Sequence, residues 1–277
     1  GTPVVERGQR VQILFEHADR VRIQPPAPWS NLIANEHGGF VVTERGAGFT
    51  WAANSYFYRL TPWHNDPVSD PPGDAIYLQD EDGALWSPTP APCGSGSSYL
   101  VRHAAGSTSF EHVYADIRSE LTTAMADDAA VRITTLRLSN SGTRARTIRV
   151  TAYAEWTLGV LREQTQEHVR TKLRAEQSAI YAFNSFDPEF ANWAAFYALS
   201  APLTAHTADR REFIGRNNSL ADPSGLRDHA LSGAVGAGLD PCAALQCVVS
   251  LAPGESRDLV ILLGAAENEA GARALVR

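Results

Sequence analysis

The 277-residue sequence predicts an all-β chain, folded as a large antiparallel β-sandwich. Three observations carry that reading. Apolar and polar residues alternate strictly in short segments: Ile148, Val150, Ala152, Ala154 and Trp156 interleave with Thr147, Arg149, Thr151, Tyr153 and Glu155, the pattern of a strand with one buried and one wet face. Turn-forming groups such as Asp82-Gly83, Asn140-Ser141-Gly142 and Pro253-Gly254 punctuate these segments. Long amphipathic helical periodicity is missing, and many short strands between turns make a sandwich.

In chain order, Val11, Ile13 and Phe15 alternate, as do Val21 and Ile23 beyond His17 to Arg20, which predicts a hairpin. Pro25 to Pro28 force an extended passage into Trp29. Phe40 to Thr43 and Gly48 to Trp51 flank Glu44 to Ala47 as a second hairpin, and Ala75 to Gln79 and Ala84 to Trp86 flank a tight turn at Asp80 to Gly83. Gly94 to Ser98 reads as a flexible link. Val131 to Leu138 is a strand before the Asn140 turn, and Trp193 to Leu199 is another. Leu245, Cys247, Val249 and Leu251 alternate and lead through Pro253-Gly254 into the apolar run Leu259 to Leu263, suited to a buried strand. Two stretches look helical, Thr207 to Phe213 and Glu267 to Arg277, the second suggesting continuation past Arg277.

Composition narrows the partners. A formal net charge of −7 and a pI near 5.6 argue against nucleic acid, which wants a basic stripe, and leave a neutral sugar open. Cys93, Cys242 and Cys247 are odd in number and irregularly spaced, which fits free thiols in a reducing, cytoplasmic compartment. The longest apolar run, Leu259 to Ala266, falls far short of the roughly 18 residues of a membrane span.

Gly48 to Pro88 organises the rest. It holds Trp51, Trp63, Trp86, Tyr56, Tyr58 and Tyr77 with Arg59, His64 and several Asn and Asp, and Pro62, Pro67, Pro71 and Pro72 keep its middle irregular. Flat aromatic surface against C–H faces, with planar polar groups for hydroxyls, is what sugar recognition needs, and Arg59, Trp63, His64, Asn65 and Asp66 supply it within eight residues. Trp51, Tyr77, Trp86 and Trp156 are better read as core; for Trp63 and His64 core and site weigh equally.

Other chemistries are weaker. G-x-S-x-G is missing, and Gly94-Ser95-Gly96-Ser97 lacks the strand–turn–helix setting of a nucleophile elbow. The histidines form neither H-x-H nor H-E-x-x-H. Asp66, Asp70 and Asp74 recur every four residues; they offer a calcium loop, but Asp near Pro more often caps its own turn. Gly233 to Gly238 lacks the lysine of a phosphate loop. No metal or other cofactor is expected.

The stretches PAPWSNLIANEHGGFVVTERGAGF and TWAANSYFYRLTPWHNDPVSDPPGDAIYLQDEDGALWSPTP resemble the amino-terminal domain of the inverting disaccharide phosphorylases, the family of cellobiose and chitobiose phosphorylases formerly classed among glycosyltransferases. AEWTLG (Ala154 to Gly159), DRREFIGRNNSL (Asp209 to Leu220) and LSGAVGAGLDPCAALQ (Leu231 to Gln246) agree in order, and the phosphorylase-like region of cyclic β-1,2-glucan synthetase is the most similar subgroup. The resemblance implies a galactose-mutarotase-like super-sandwich over residues 1–265. It also implies that residues 266–277 begin a helical linker to an (α/α)6 barrel outside this chain, which carries the general acid and the phosphate site. This chain would then hold no catalytic residue. It would bind β-glucan or oligosaccharide together with the barrel of the same parent, in a homodimer whose sandwich domains lend loop residues to the neighbouring site. A cytoplasmic part of an inner-membrane parent is compatible with that. The matching positions are Asn54, Arg59, Trp63, His64, Asn65 and Asp66, with Arg216 of the F-I-G-R stretch. The cellobiose enzymes show N-F-Q-R after their E-W; here Glu167-His168-Val169-Arg170 keeps only the arginine, which puts a sugar contact there in doubt. Two rivals stand beside this reading: an autonomous mutarotase-like epimerase drawing on His103, His112 or His168, and an interaction module without glycan contact.

Overall fold

Two facing antiparallel sheets enclose the core of the computed structural model, which describes residues 25–227 and 230–277 in full and, before them, only the backbone of short strands. Among the described residues the larger sheet has ten strands: Val4–Glu6, Arg10–Phe15, Tyr99–Ala104, Ser107–Tyr114, Ile117–Met125, Val131–Asn140, Ser256–Ala266, Ala194–Leu199, Ala179–Asn184 and Val169–Arg174, in that spatial order. The smaller runs Ala205–Asp209, Pro241–Leu251, Arg146–Glu155, Asp74–Gln79, Leu85–Trp86. A third sheet of Ser30–Ala34, Gly38–Thr43 and Gly48–Ala52 joins the same core.

Period-2 alternation places the core. Leu121, Leu136, Leu138, Leu259, Ile261 and Leu263 from the large sheet meet Ile76, Leu78, Ile148, Val150, Leu245 and Cys247 from the small one, with Phe40 and Val42 from the third. The Asn140 and Pro253-Gly254 turns each carry the chain from one main sheet to the other, so the strands flanking them pack face to face instead of pairing. Trp86, Trp156, Tyr77 and Trp51 are buried, as the sequence predicts.

Four local expectations are corrected. Arg10–Phe15 pairs with Val4–Glu6 and Tyr99–Ala104, not with the segment after it; His17–Ala18 and Val21–Arg22 form their own small pair, and Ile23 lies outside the described residues. Thr207 to Phe213 divides into the end of strand Ala205–Asp209 and a four-residue helix, Arg210–Phe213, capped by Asp209. The wet face predicted for Thr147 to Glu155 is wet only at its start. Thr151, Tyr153 and Glu155 are buried because Phe213, Ile214, Leu226 and Leu231 cover that face, with the Tyr153 and Phe213 rings stacked at 4.5 Å. The C-terminal helix is Glu269–Leu275, capped by Asn268, and Ala272 packs it against the large sheet.

Candidate functional site

The groove is built on the Gly38–Thr43/Gly48–Ala52 hairpin. Gly48, at φ 138°, lets the strands close: a Cβ there would lie 1.9 Å from the Val41 carbonyl oxygen. After Ala52 the chain makes a turn in which the Asn54 side chain accepts from the Tyr56 and Phe57 amides, each at 2.9 Å. Residues 59–61 are then pinned on both sides. Leu60 N donates to Thr50 O and Thr50 N to the Thr61 hydroxyl, while Arg59 and Gly159 exchange backbone bonds of 3.1 and 3.2 Å. The proline-bearing stretch that follows is irregular, as predicted, but anchored.

Trp63, His64, Asn65 and Asp66 lie along one wall of a groove of about 390 Å³, facing Ser30 and Leu32. Trp63 is half-buried, its ring tilted against Phe49 with centroids 4.9 Å apart, and His64 and Asn65 are exposed. The groove therefore combines an aromatic surface, an imidazole, an amide and exposed apolar Leu32.

The other candidates sit elsewhere. Arg59 lies behind the wall: its guanidinium covers the Phe49 and Tyr56 rings at 5.5 and 5.3 Å and donates to the Ser55 and Val160 carbonyls. Asn54 is in the neighbouring turn, its oxygen engaged by the two amides. Arg216 is exposed in the loop after Ile214, over the outer face of the small sheet, and does not line the groove. The structure brings four of the seven together.

The three aspartates have separate employments. Asp66 caps its own turn through the Ser69 hydroxyl and the Val68 amide, which hold its carboxyl below the usual range. Asp70 is buried and accepts from the Thr43 hydroxyl at 2.7 Å; burial pushes its carboxyl up. Asp74 pairs with Arg132 between the sheets. They do not converge on a calcium site, because each faces a different partner. Among the described residues, the histidines of the epimerase rival have no carboxylate partner in the hydrogen bonds they make. His103 is held by Thr108 and the Trp29 carbonyl, His112 by Ser95 and the Ser98 carbonyl, and His168 stacks on Phe186.

One cluster escapes a reading of sequence alone. Glu155 accepts from the Tyr153 hydroxyl at 3.0 Å and Arg210 at 2.8 Å and lies 3.4 Å from Arg162; Arg162 and Arg210 also meet Asp240. Glu155 belongs to the AEWTLG stretch, Arg210 to DRREF and Asp240 to AGLDPC, so three separate motifs meet in one charged knot. The available signal was that Glu155 and Asp240 each carry a charge between apolar residues, whereas Arg210 lies between Asp209 and Arg211 and gives none.

Residues 18–277 match the family described as "Glycosyl hydrolase 94, supersandwich domain". The chain belongs to that family. It is 33% identical over 266 residues to the cyclic beta-(1,2)-glucan synthase NdvB of Rhizobium meliloti (strain 1021), covering 94% of this chain and 9% of that protein. It is 24% identical over 247 residues to the N,N'-diacetylchitobiose phosphorylase of Vibrio furnissii, covering 86% of this chain and 31% of that one. The chain thus spans a third or less of these relatives. Among solved structures, the Slr1438 protein from Synechocystis sp. PCC 6803 aligns over 91% of this chain and 100% of its own at a TM-score of 0.51 and 8% identity, which speaks to fold alone. A galactose mutarotase-like protein from Lactobacillus casei ATCC 334 aligns over 86% of this chain and 100% of its own at a TM-score of 0.48 and 10% identity. This glycosyl hydrolase 94 supersandwich is all-β, as its sequence predicts. Among the described residues no helix is long and apolar enough to cross a membrane.

Proposed function

We propose that this supersandwich is the non-catalytic partner of an (α/α)6 catalytic barrel in a longer β-glucan phosphorylase or cyclic β-1,2-glucan synthase, and that its Trp63 groove lends carbohydrate contacts to the acceptor side of the barrel's site. One observation carries the reading: Trp63, His64, Asn65 and Asp66 share one wall of an open groove. The 33% identity to a glucan synthase favours a β-glucan acceptor, and the chain's small share of its relatives fits a domain that works with others. In this reading the parent is a homodimer, the helix Glu269–Leu275 leads toward the barrel, and the domain works in the cytoplasm.

The groove alone is a weak site. One stacked ring and two or three hydroxyl bonds, at about 0.5–1.5 kcal/mol each, reach only millimolar affinity. Added to a pocket that already immobilises the sugar, the same contacts act without paying that cost again. Trp63→Ala in the full-length parent is therefore expected to lower acceptor kcat/KM by roughly tenfold, about 1.4 kcal/mol, with the melting temperature little changed. Unchanged kinetics with a lowered melting temperature would instead make Trp63 a packing residue and remove the groove from the site.

A further inference from the structure

We propose that Ser95 and His112 form a nucleophile–base dyad that accepts the acyl group of a short-chain carboxylic ester, a site separate from the Trp63 groove and independent of the glucan reading. The link Gly94 to Ser98 lacks an elbow motif, yet the fold supplies the geometry by another route. Ser95 Oγ lies 2.8 Å from His112 Nε2, and His112 Nδ1 lies 2.9 Å from the Ser98 carbonyl oxygen. A carbonyl can only accept, so Nδ1 carries the proton and Nε2 presents a lone pair to which the Ser95 hydroxyl donates. That is the arrangement of an activated serine: a base within reach of the nucleophile and a third group fixing the base's tautomer.

The surroundings hold the dyad rigidly. His112 lies opposite Tyr99 across two paired strands, and the rings stack at 3.8 Å and 9°. Burial pushes the imidazole below its usual value, which favours the neutral ring with its Nε2 lone pair free. The Ser97 amide donates to Ser95 Oγ at 3.1 Å, orienting it, and Gly96, at φ 87°, turns the chain immediately after the serine. A recess of about 260 Å³ opens on the His112 side of the pair, lined by Ser97, Ser98, Tyr99, Leu100, Glu111, His112, Val113 and Arg118, while Ser95 stands outside that lining. It lies just under the size of ordinary ligand pockets, which suits a short acyl chain. His103 and Thr108 make a similar hydroxyl–imidazole bond, but Thr108 is fully buried and also takes the Asn31 amide, so that pair is internal. Ser95 is half-exposed.

The chemistry balances without a cofactor. Ser95 Oγ attacks the ester carbonyl carbon as its proton passes to Nε2. The adduct collapses, the bond to the alcohol oxygen breaks, and Nε2 returns the proton to that oxygen. Water then attacks the acyl-serine carbonyl as Nε2 takes its proton; the acyl–Oγ bond breaks, Nε2 returns that proton to Ser95 Oγ, and ester and water have become carboxylic acid and alcohol.

Incubation of the chain with a fluorophosphonate probe and, separately, with p-nitrophenyl acetate tests this. Labelling should map to the Ser95 peptide, and Ser95→Ala should lose it while keeping its far-UV spectrum and melting temperature. General-base help is worth about 10²–10⁴-fold, so Ser95→Ala should lower p-nitrophenolate release at least about a hundredfold. The wild-type rate should fall as pH drops through the His112 value below 6.5. If Ser95→Ala does not fold, Ser95→Cys should fold and be alkylated by iodoacetamide faster than Cys93. Wild-type labelling no greater than that of Ser95→Ala, labelling elsewhere, a pH-independent rate or a sluggish Cys variant would each overturn the proposal.

Discussion

The Glu155 knot and the Trp63 groove both come from stretches that mark the family, and both are rich in charge and aromatic surface. At the knot, Glu155 and Asp240 face Arg162 and Arg210, two charges of each sign, and Glu155 is buried under Tyr153 and the Phe213 layer. Its hydrogen bonds are made internally, with Arg162 Nε buried and left without one. At the groove, Asp66 and Asp70 are spent on their own loop and strand, but His64, Asn65 and part of Trp63 remain available. Family-marking residues therefore fall into two kinds, those that hold loops together and those that loops present. Sequence shows the residues of both kinds but not which kind each is.

The largest expected effect breaks the knot. Glu155→Ala leaves two partly buried guanidinium groups with one carboxylate between them, and removing one partner of a buried ion pair costs about 3–5 kcal/mol. Arg210 is more exposed than Arg162, so the cost should fall at the lower end. Urea denaturation of the chain should show the midpoint lowered by that cost divided by an unchanged slope. A loss below about 1 kcal/mol would mean that solvent screens the knot, and the contrast with the groove would fail.

A smaller effect belongs to Arg59, which stands between the two regions. Its side chain serves two carbonyls and its backbone bridges Gly159, tying the groove wall to the segment that leads to Arg162. Arg59→Ala should cost about 1–2 kcal/mol through those two bonds. It should also speed hydrogen exchange at the Arg59 and Gly159 amides relative to those of Leu136 and Ile148. If stability and exchange are unchanged while the parent's acceptor kinetics fall about tenfold, Arg59 acts on the sugar directly.

How much was legible follows from the range over which each signal acts. Alternation at Ile148 to Ala154 and Leu245 to Leu251 reports which face is buried, and it placed the core correctly. It could not report that Phe213 and Ile214 return to cover Thr151 and Tyr153, because that second burial depends on a segment some sixty residues away. The hairpins at Thr43 and Asp80 were legible because turn and strands are contiguous. Arg10–Phe15 was misassigned because its partner, Tyr99–Ala104, is distant in sequence. At the site, composition singled out Trp63 to Asp66, whose grouping is local, whereas the Glu155 knot and the Ser95–His112 pair each need strands to bring remote residues together.

The smallest effect concerns Asp66, the groove residue most like the knot in being already engaged. The Ser69 hydroxyl and then the Val68 amide hold its carboxyl below the usual aspartate value of 3.8. A lowered folded value means that the cap's contribution is present above 3.8 and is lost as pH falls through the folded value. At pH 7 the melting temperatures should therefore run wild type, Asp66→Asn, Asp66→Ala from highest to lowest, because Asn keeps an acceptor for the Val68 amide but not the charge. The gap between wild type and Asp66→Asn should narrow as pH approaches and passes below 3.8, while the gap between Asn and Ala, which carries no titrating group, should not follow it. Differential scanning calorimetry across that range reads both gaps. Should Asp66→Ala melt like the wild type at pH 7 yet weaken acceptor use in the parent, the carboxylate belongs to the sugar rather than to the turn. The groove would then present one more group than its hydrogen bonds indicate.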